Sequence, residues 1–320
     1  MKKRKFSFGL CWGILCGVLL IAYTIFVLLD TFVIPSVYIM VPQETPRITP
    51  TLSTWSTFYP EETLAPSLET AEPQISQTPV VTDKPDTNPV SIQLHEYRYC
   101  DTTVYVADVK LSSPDYLRTA FAMNAYGRNI TQKTSVIASN HQAVLAINGD
   151  FYGSRERGYV IRDGVLYRDT RNSNNEDLVI YKDGSFGIVR EDQVSAQTLI
   201  HQNAMHVFSF GPALVIDGKI SVDENDEVGK AMVNNPRTAI AIVDELHYLF
   251  IVSDGRTSIS EGLTLYELAE FVKGLGAQIA YNLDGGGSST MVYNGKVINN
   301  PTTNGKTIQE RAVSDIVYIG

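Results

Sequence analysis

Residues 280–292 read AYNLDGGGSSTMV: an apolar strand runs into an acid, three consecutive glycines and three hydroxyl side chains. Three glycines in a row maximise the entropy of the unfolded chain. A fold keeps them where backbone must adopt positive φ or come very close to something else. Two readings fit: Gly285, Gly286 and Gly287 present a nest of N–H groups to an anion, with Ser288, Ser289 and Thr290 as further donors and Asp284 as a carboxylate, or they form a glycine-rich strand connection.

Working backwards, Thr264 and Glu267 are spaced as a capping box. Leu265, Leu268, Ala269, Val272 and Leu275 follow the 3.6-residue period, and Gly276 stands where a helix stops. Two apolar runs, 239–243 and 248–252, flank Asp244, Glu245 and Leu246 and read as a hairpin of buried strands. That hairpin puts Arg237 opposite Ser253, beside Asp254 and Arg256. The order strand, helix, strand over 248–283 predicts a crossover between parallel strands whose carboxyl ends share one edge. Asp254 and Asp284 meet there, and Asn282, two positions before Asp284, shares its face. Residues 143–153, AVLAINGDFYG, repeat the pattern and offer Asn148 and Asp150 to the same edge.

The expected architecture is α+β: a mixed β-sheet domain with several hairpins and one βαβ crossover, preceded by a transmembrane helix and a disordered linker. Four acid- or amide-glycine pairs, at 163–164, 183–184, 217–218 and 294–295, are assigned to hairpin turns and to no chemistry. Arginine forks suit phosphate and carboxyl groups can move protons, so the edge suits a phosphorylated sugar.

These residues resemble the phosphodiester glycosidases, the family of the uncovering enzyme N-acetylglucosamine-1-phosphodiester α-N-acetylglucosaminidase. The resemblance is carried in order by AINGDFY (146–152), FGPALVIDGK (210–219), NPRTAIAI (235–242), SDGRTSISEGLTLYELAEFVKGLGA (253–277), YNLDGGGSSTM (281–291) and Glu310-Arg311. It implies hydrolysis of the bond between a sugar's anomeric carbon and a phosphate diester, in bacteria on exopolysaccharide or cell-wall glycopolymer. The positions it places around substrate are Asn148, Asp150, Arg237, Thr238, Asp254, Arg256, Asn282, Asp284, Gly285, Gly286, Ser288 and Arg311. Asp284, with Asp254 or Asp150, is the candidate for the acid and base work. The competing reading is a non-catalytic binding module for anionic cell-surface glycopolymers.

Asp150 and Asp284 are also the hard oxygen ligands that calcium or magnesium would use. No fixed-spacing metal motif accompanies them, and His95, His141, His201, His206 and His247 show no zinc spacing. Residues 2–5 are basic and precede an apolar run over 8–29, long enough for a bilayer core of about 30 Å. The positive-inside rule leaves the rest of the chain outside the cell. The length of that run, with no small-residue cleavage site close behind it, favours a retained single-pass anchor in the cell membrane over a cleaved signal peptide. The divisions are a cytoplasmic tail (1–7), the signal anchor (8–34), a Pro/Thr-rich disordered linker (35–90) and the glycosidase-like domain (91–320). Only Cys100 lies outside the anchor, which leaves the domain no internal disulfide. With 35 acidic against 26 basic residues, the chain is a poor partner for nucleic acid.

Overall fold

The computed structural model describes residues 8–41, 89–172, 175–226 and 234–320. The basic tail and residues 42–88 of the expected linker lie outside the described residues.

The central sheet has seven strands in the order Lys219–Ile220, Ala213–Ile216, Ile279–Asn282, Thr238–Asp244, His247–Ser253, Thr102–Leu111, Val90–Tyr99. The expected hairpin registers Thr238 against Val252, and Ser253 donates its N–H to the Arg237 carbonyl at 2.9 Å. The expected crossover is also present, through the helix Leu265–Gly274. Its two strands run parallel but are not neighbours. Thr238–Asp244 lies between them, antiparallel to both, so every adjacent pair in this sheet is antiparallel.

The helix begins as its sequence dictates. The Thr264 side chain accepts from the Glu267 N–H at 3.1 Å, and Glu267 Oε2 accepts from the Thr264 N–H at 2.8 Å. Gly276, at φ +91°, ends it. Leu265, Leu268 and Val272 are fully buried on Ala239, Ala241, Leu249 and Ile251, each worth about 1.5–3 kcal/mol. The opposite face of the sheet, with Ile240, Phe250, Val252 and Tyr281, packs on two five-stranded sheets through Leu145, Ile147, Val317, Leu178 and Phe208. A sheet covered on both sides explains why its strands read as unbroken apolar runs.

The four predicted turn pairs all close hairpins, each with a positive-φ glycine at its second position. One assignment changes. Ser36–Met40, placed in the linker by position, forms a strand paired antiparallel with Ala125–Arg128. Its side chains, Ser-Val-Tyr-Ile-Met, suit a strand; the dense run of proline and threonine that defines a linker begins only after it. The domain's own first strand begins at Val90. The helix Phe8–Phe32 is long and apolar enough to cross a membrane.

Candidate functional site

The carboxyl ends of the strands His247–Ser253 and Ile279–Asn282 and the amino end of Thr238–Asp244 meet on one edge, as the crossover requires. A cleft of about 180 Å³ opens there, lined by Arg237, Arg256, Asn282, Asp284, Gly285 and Arg311 with Asn235 and Phe210. A larger hollow at Gln202 and Asn203 is lined by surface side chains and brings together no comparable set.

Three guanidiniums converge on this cleft. Arg237 donates from Nε to the Leu263 carbonyl at 2.8 Å. Arg256 reaches Asn235 Oδ1 through Nε (3.1 Å) and Nη2 (2.9 Å) and the Thr303 carbonyl through Nη1 (2.7 Å). Arg311 donates from Nε to Ser288 Oγ (2.9 Å) and from Nη2 to Asp284 Oδ2 (3.3 Å) and the Gly285 carbonyl (3.1 Å). Burial, and then the charges of Arg311 and Arg237, lower the pKa of Arg256. Repulsion of this kind is relieved by an anion.

Asp284 is the one carboxylate among the described lining residues. It is 7 % exposed, and burial raises its pKa, an effect that Arg311 and Ser288 oppose and Asp150 reinforces. Asp150 and Asp254 stand behind the cleft with their oxygens engaged. Asp150 accepts the N–H groups of Phe151 (2.6 Å) and Ser209 (2.8 Å). Asp254 accepts the N–H (2.8 Å) and side-chain amide (2.9 Å) of Asn300, along with weaker contacts from Asn299 and Tyr105. Asp150 and Asp284, the pair suited to calcium or magnesium, thus face N–H and guanidinium donors. Among the described residues, no three His, Cys, Asp or Glu side chains gather as metal ligands.

Asn148 and Thr238 form the support beneath. Asn148, fully buried, accepts from Thr238 Oγ1 (2.9 Å) and the Thr290 N–H (3.1 Å), and donates from Nδ2 to the Asp284 carbonyl (2.5 Å). Asn282 has its Nδ2 fixed on the Gly211 carbonyl at 2.8 Å, while its Oδ1 is buried without a partner.

The glycine triplet serves close approach rather than a three-amide nest. The Gly286 N–H goes to the Pro236 carbonyl at 2.8 Å. A Cβ on Gly286, which has φ +62°, would stand 2.9 Å from Arg256 Nη2, and one on Gly287 would overlap Thr303. Residues that the sequence reading did not single out are Asn235, which holds Arg256, and Phe210, which lines the cleft beside Arg237. Both lie inside the motifs quoted above. Asp315, which accepts the Asp150 N–H at 2.7 Å and pairs with Arg162 at 2.6 Å, carries no sequence signal.

Residues 141–320 match the family profile of the phosphodiester glycosidases. The chain belongs to this family. Among relatives, an uncharacterised SPbeta prophage-derived protein, YomE, of Bacillus subtilis strain 168 is 32 % identical over 199 residues, covering 61 % of this chain and 30 % of its own. N-acetylglucosamine-1-phosphodiester alpha-N-acetylglucosaminidase of Mus musculus is 30 % identical over 172 residues, covering 49 % of this chain and 33 % of its own. The chain spans about a third of the length of the curated relatives it matches. Its fold is shared with the zebrafish enzyme's catalytic domain, solved in a form auto-inhibited by its pro-peptide (TM-score 0.57, 23 % identity, 72 % of this chain and 82 % of that one). A hypothetical protein from Synechocystis also shares it (TM-score 0.50, 16 % identity, 72 % and 62 %).

Proposed function

We propose that this domain hydrolyses the glycosidic bond of a sugar-1-phosphate diester, such as a GlcNAc-1-phosphodiester, in cell-wall or exopolysaccharide glycopolymer outside the membrane that its N-terminal helix crosses. The observation that carries the reading is a cleft lined by three arginines and a single buried carboxyl group, with Arg311 against that carboxyl.

The anionic phosphate lies between Arg256 and Arg311, whose planar donors match its oxygens. Water attacks the anomeric carbon as the bond from that carbon to the phosphate oxygen breaks; the electron pair leaves with the phosphomonoester. The second pKa of such a product is about 6, so it departs as a stable anion without a proton donor. One carboxylate is then sufficient, and Asp284 takes the proton released by the water. Burial makes Asp284 a stronger base than an ordinary aspartate, and Arg311 keeps it ionisable. Asn282 Oδ1 supplies an acceptor for a hydroxyl or N–H of the sugar. Asp150 and Asp254 are positioning residues. The first fixes Ser209 next to Phe210; the second holds the turn at Asn299 and Asn300.

The test is Asp284→Asn assayed on GlcNAc-1-phosphodiesters. Loss of a general base should lower kcat by about 10²–10⁴-fold, with binding retained. Full turnover in the variant would remove Asp284 from this role.

A further inference from the structure

The anchor helix is fastened to the domain instead of leading away from it. Arg128 donates from Nη2 to the Asp30 carbonyl at 2.8 Å and pairs with its carboxylate at 3.3 Å. Asn129 donates from Nδ2 to the carbonyls of Thr31 (3.1 Å) and Ile34 (3.2 Å). The strand Ser36–Met40 then pairs with Ala125–Arg128, and Val41 continues the contact by donating to the Asn124 carbonyl at 2.6 Å. Gly127 is required there, since a Cβ would overlap the Ser36 carbonyl. This two-stranded ribbon leaves Val37, Tyr38 and Met40 exposed at 54 %, 61 % and 65 %, and adjoining Met123 at 60 %. Exposed apolar groups clustered in this way mark a contact surface.

Chain continuity identifies the contact. Ser36 lies four positions after Phe32, a span of at most about 14 Å. Asn129 touches the last turn of the helix directly. A helix of 25 residues exceeds the bilayer's hydrocarbon core of about 30 Å. Its end therefore emerges among headgroups, where Asp30 meets its guanidinium partner and where tyrosine is favoured.

We propose that the ribbon of Ser36–Met40 and Ala125–Arg128, with Met123, rests in the lipid headgroup layer and clamps the domain against the outer face of the bilayer. Residues 42–88 then leave and rejoin a domain already held at the membrane, so their length does not set its distance from the lipid. The inference rests on the helix being a retained anchor, and it is independent of the reaction.

The full chain, with Cys11, Cys16 and Cys100 replaced by serine, is placed in phosphatidylcholine–phosphatidylglycerol vesicles. A single cysteine at Val37, Met123 or, for comparison, Ile259, which is 73 % exposed on another loop, carries an environment-sensitive fluorophore. Labels at 37 and 123 should be quenched several-fold more by lipids spin-labelled near the headgroup, and less by aqueous iodide, than the label at 259. Gly127→Val, which breaks the strand pairing, should return the label at 37 towards the behaviour of 259; Arg128→Ala offers a milder break should that variant fail to fold. Equal quenching at all three sites in vesicle-bound protein would overturn the clamp. Protein that does not float with the vesicles would overturn the anchor reading and the clamp with it. Since no arm measures turnover, the reaction can fail without affecting this result.

Discussion

Replacing Asn148 tests whether the cleft is held from below. Asn148→Leu keeps the volume and removes every polar partner, so the Thr238 hydroxyl, the Thr290 N–H and the Asp284 carbonyl are left together in a site with no solvent. Each such group costs about 1–3 kcal/mol when orphaned. The sum is roughly 3–9 kcal/mol, against a total stability of about 5–15 kcal/mol for an ordinary domain. Asn148→Asp is the finer probe: it keeps both accepting contacts and loses only the donor to Asp284, at about 1–3 kcal/mol. Urea unfolding of the full chain in detergent, followed by near-ultraviolet circular dichroism, gives the stability difference. Steady-state kinetics on a GlcNAc-1-phosphodiester separates kcat from KM. The expected pattern is a large loss of stability in Asn148→Leu, and in Asn148→Asp a modest one with kcat falling more than KM rises. A cost below about 1 kcal/mol in Asn148→Leu, with unchanged kcat, would mean that Asn148 does not hold the cleft, because the three groups would then have found other partners.

Four more outcomes follow from the geometry. Gly286→Ala places a side chain at φ +62° and 2.9 Å from Arg256 Nη2; it should cost about 1–2 kcal/mol in thermal unfolding and raise KM more than it lowers kcat. Because burial raises the pKa of Asp284, the acid limb of the kcat profile should lie above the ordinary aspartate range, with activity growing as pH rises through it; a limb at or below that range would contradict the assignment. Asp315, raised by burial to about 6, keeps its proton in the folded state where the unfolded chain has released it near 3.9. The folded state binds more protons across that window, so this carboxyl's contribution to stability should fall by on the order of 3 kcal/mol between about pH 4 and pH 6, read from unfolding at successive pH values. Thr264→Ala removes the capping box and should lower stability by about 1 kcal/mol in urea unfolding, leaving kcat unchanged.

What the sequence made legible was local. Thr264, Glu267 and Gly276 fix the crossover helix within a dozen residues of one another, and the paired turn residues close their hairpins without help from distant parts of the chain. From those elements the edge that gathers Arg237, Arg256 and Asp284 follows by topology alone. The division of labour among the acids does not. Asp150 and Asp254 look like Asp284 in sequence, yet their oxygens are claimed by Ser209 and Asn300, 59 and 46 residues away, and no spacing announces such a pairing. The glycines were legible as a place of unusual backbone, but whether an amide or a neighbour's guanidinium needs the space is decided by Arg256 and Thr303. Ser36–Met40 escaped for a different reason. Five residues with strand propensity acquire structure only because Gly127, some ninety positions later, leaves room for the Ser36 carbonyl.

The most direct test of the central claim follows which bond is cut. The full chain is incubated with a GlcNAc-1-phosphodiester in water enriched in oxygen-18, beside Asp284→Asn. Heavy oxygen is expected in the released sugar and none in the phosphomonoester, with product formation suppressed in the variant. Label in the phosphate would show P–O cleavage and contradict it. Saturable binding without turnover, on this substrate and on wall-polymer diesters, would contradict it equally and leave the cleft a binding site for anionic glycopolymer.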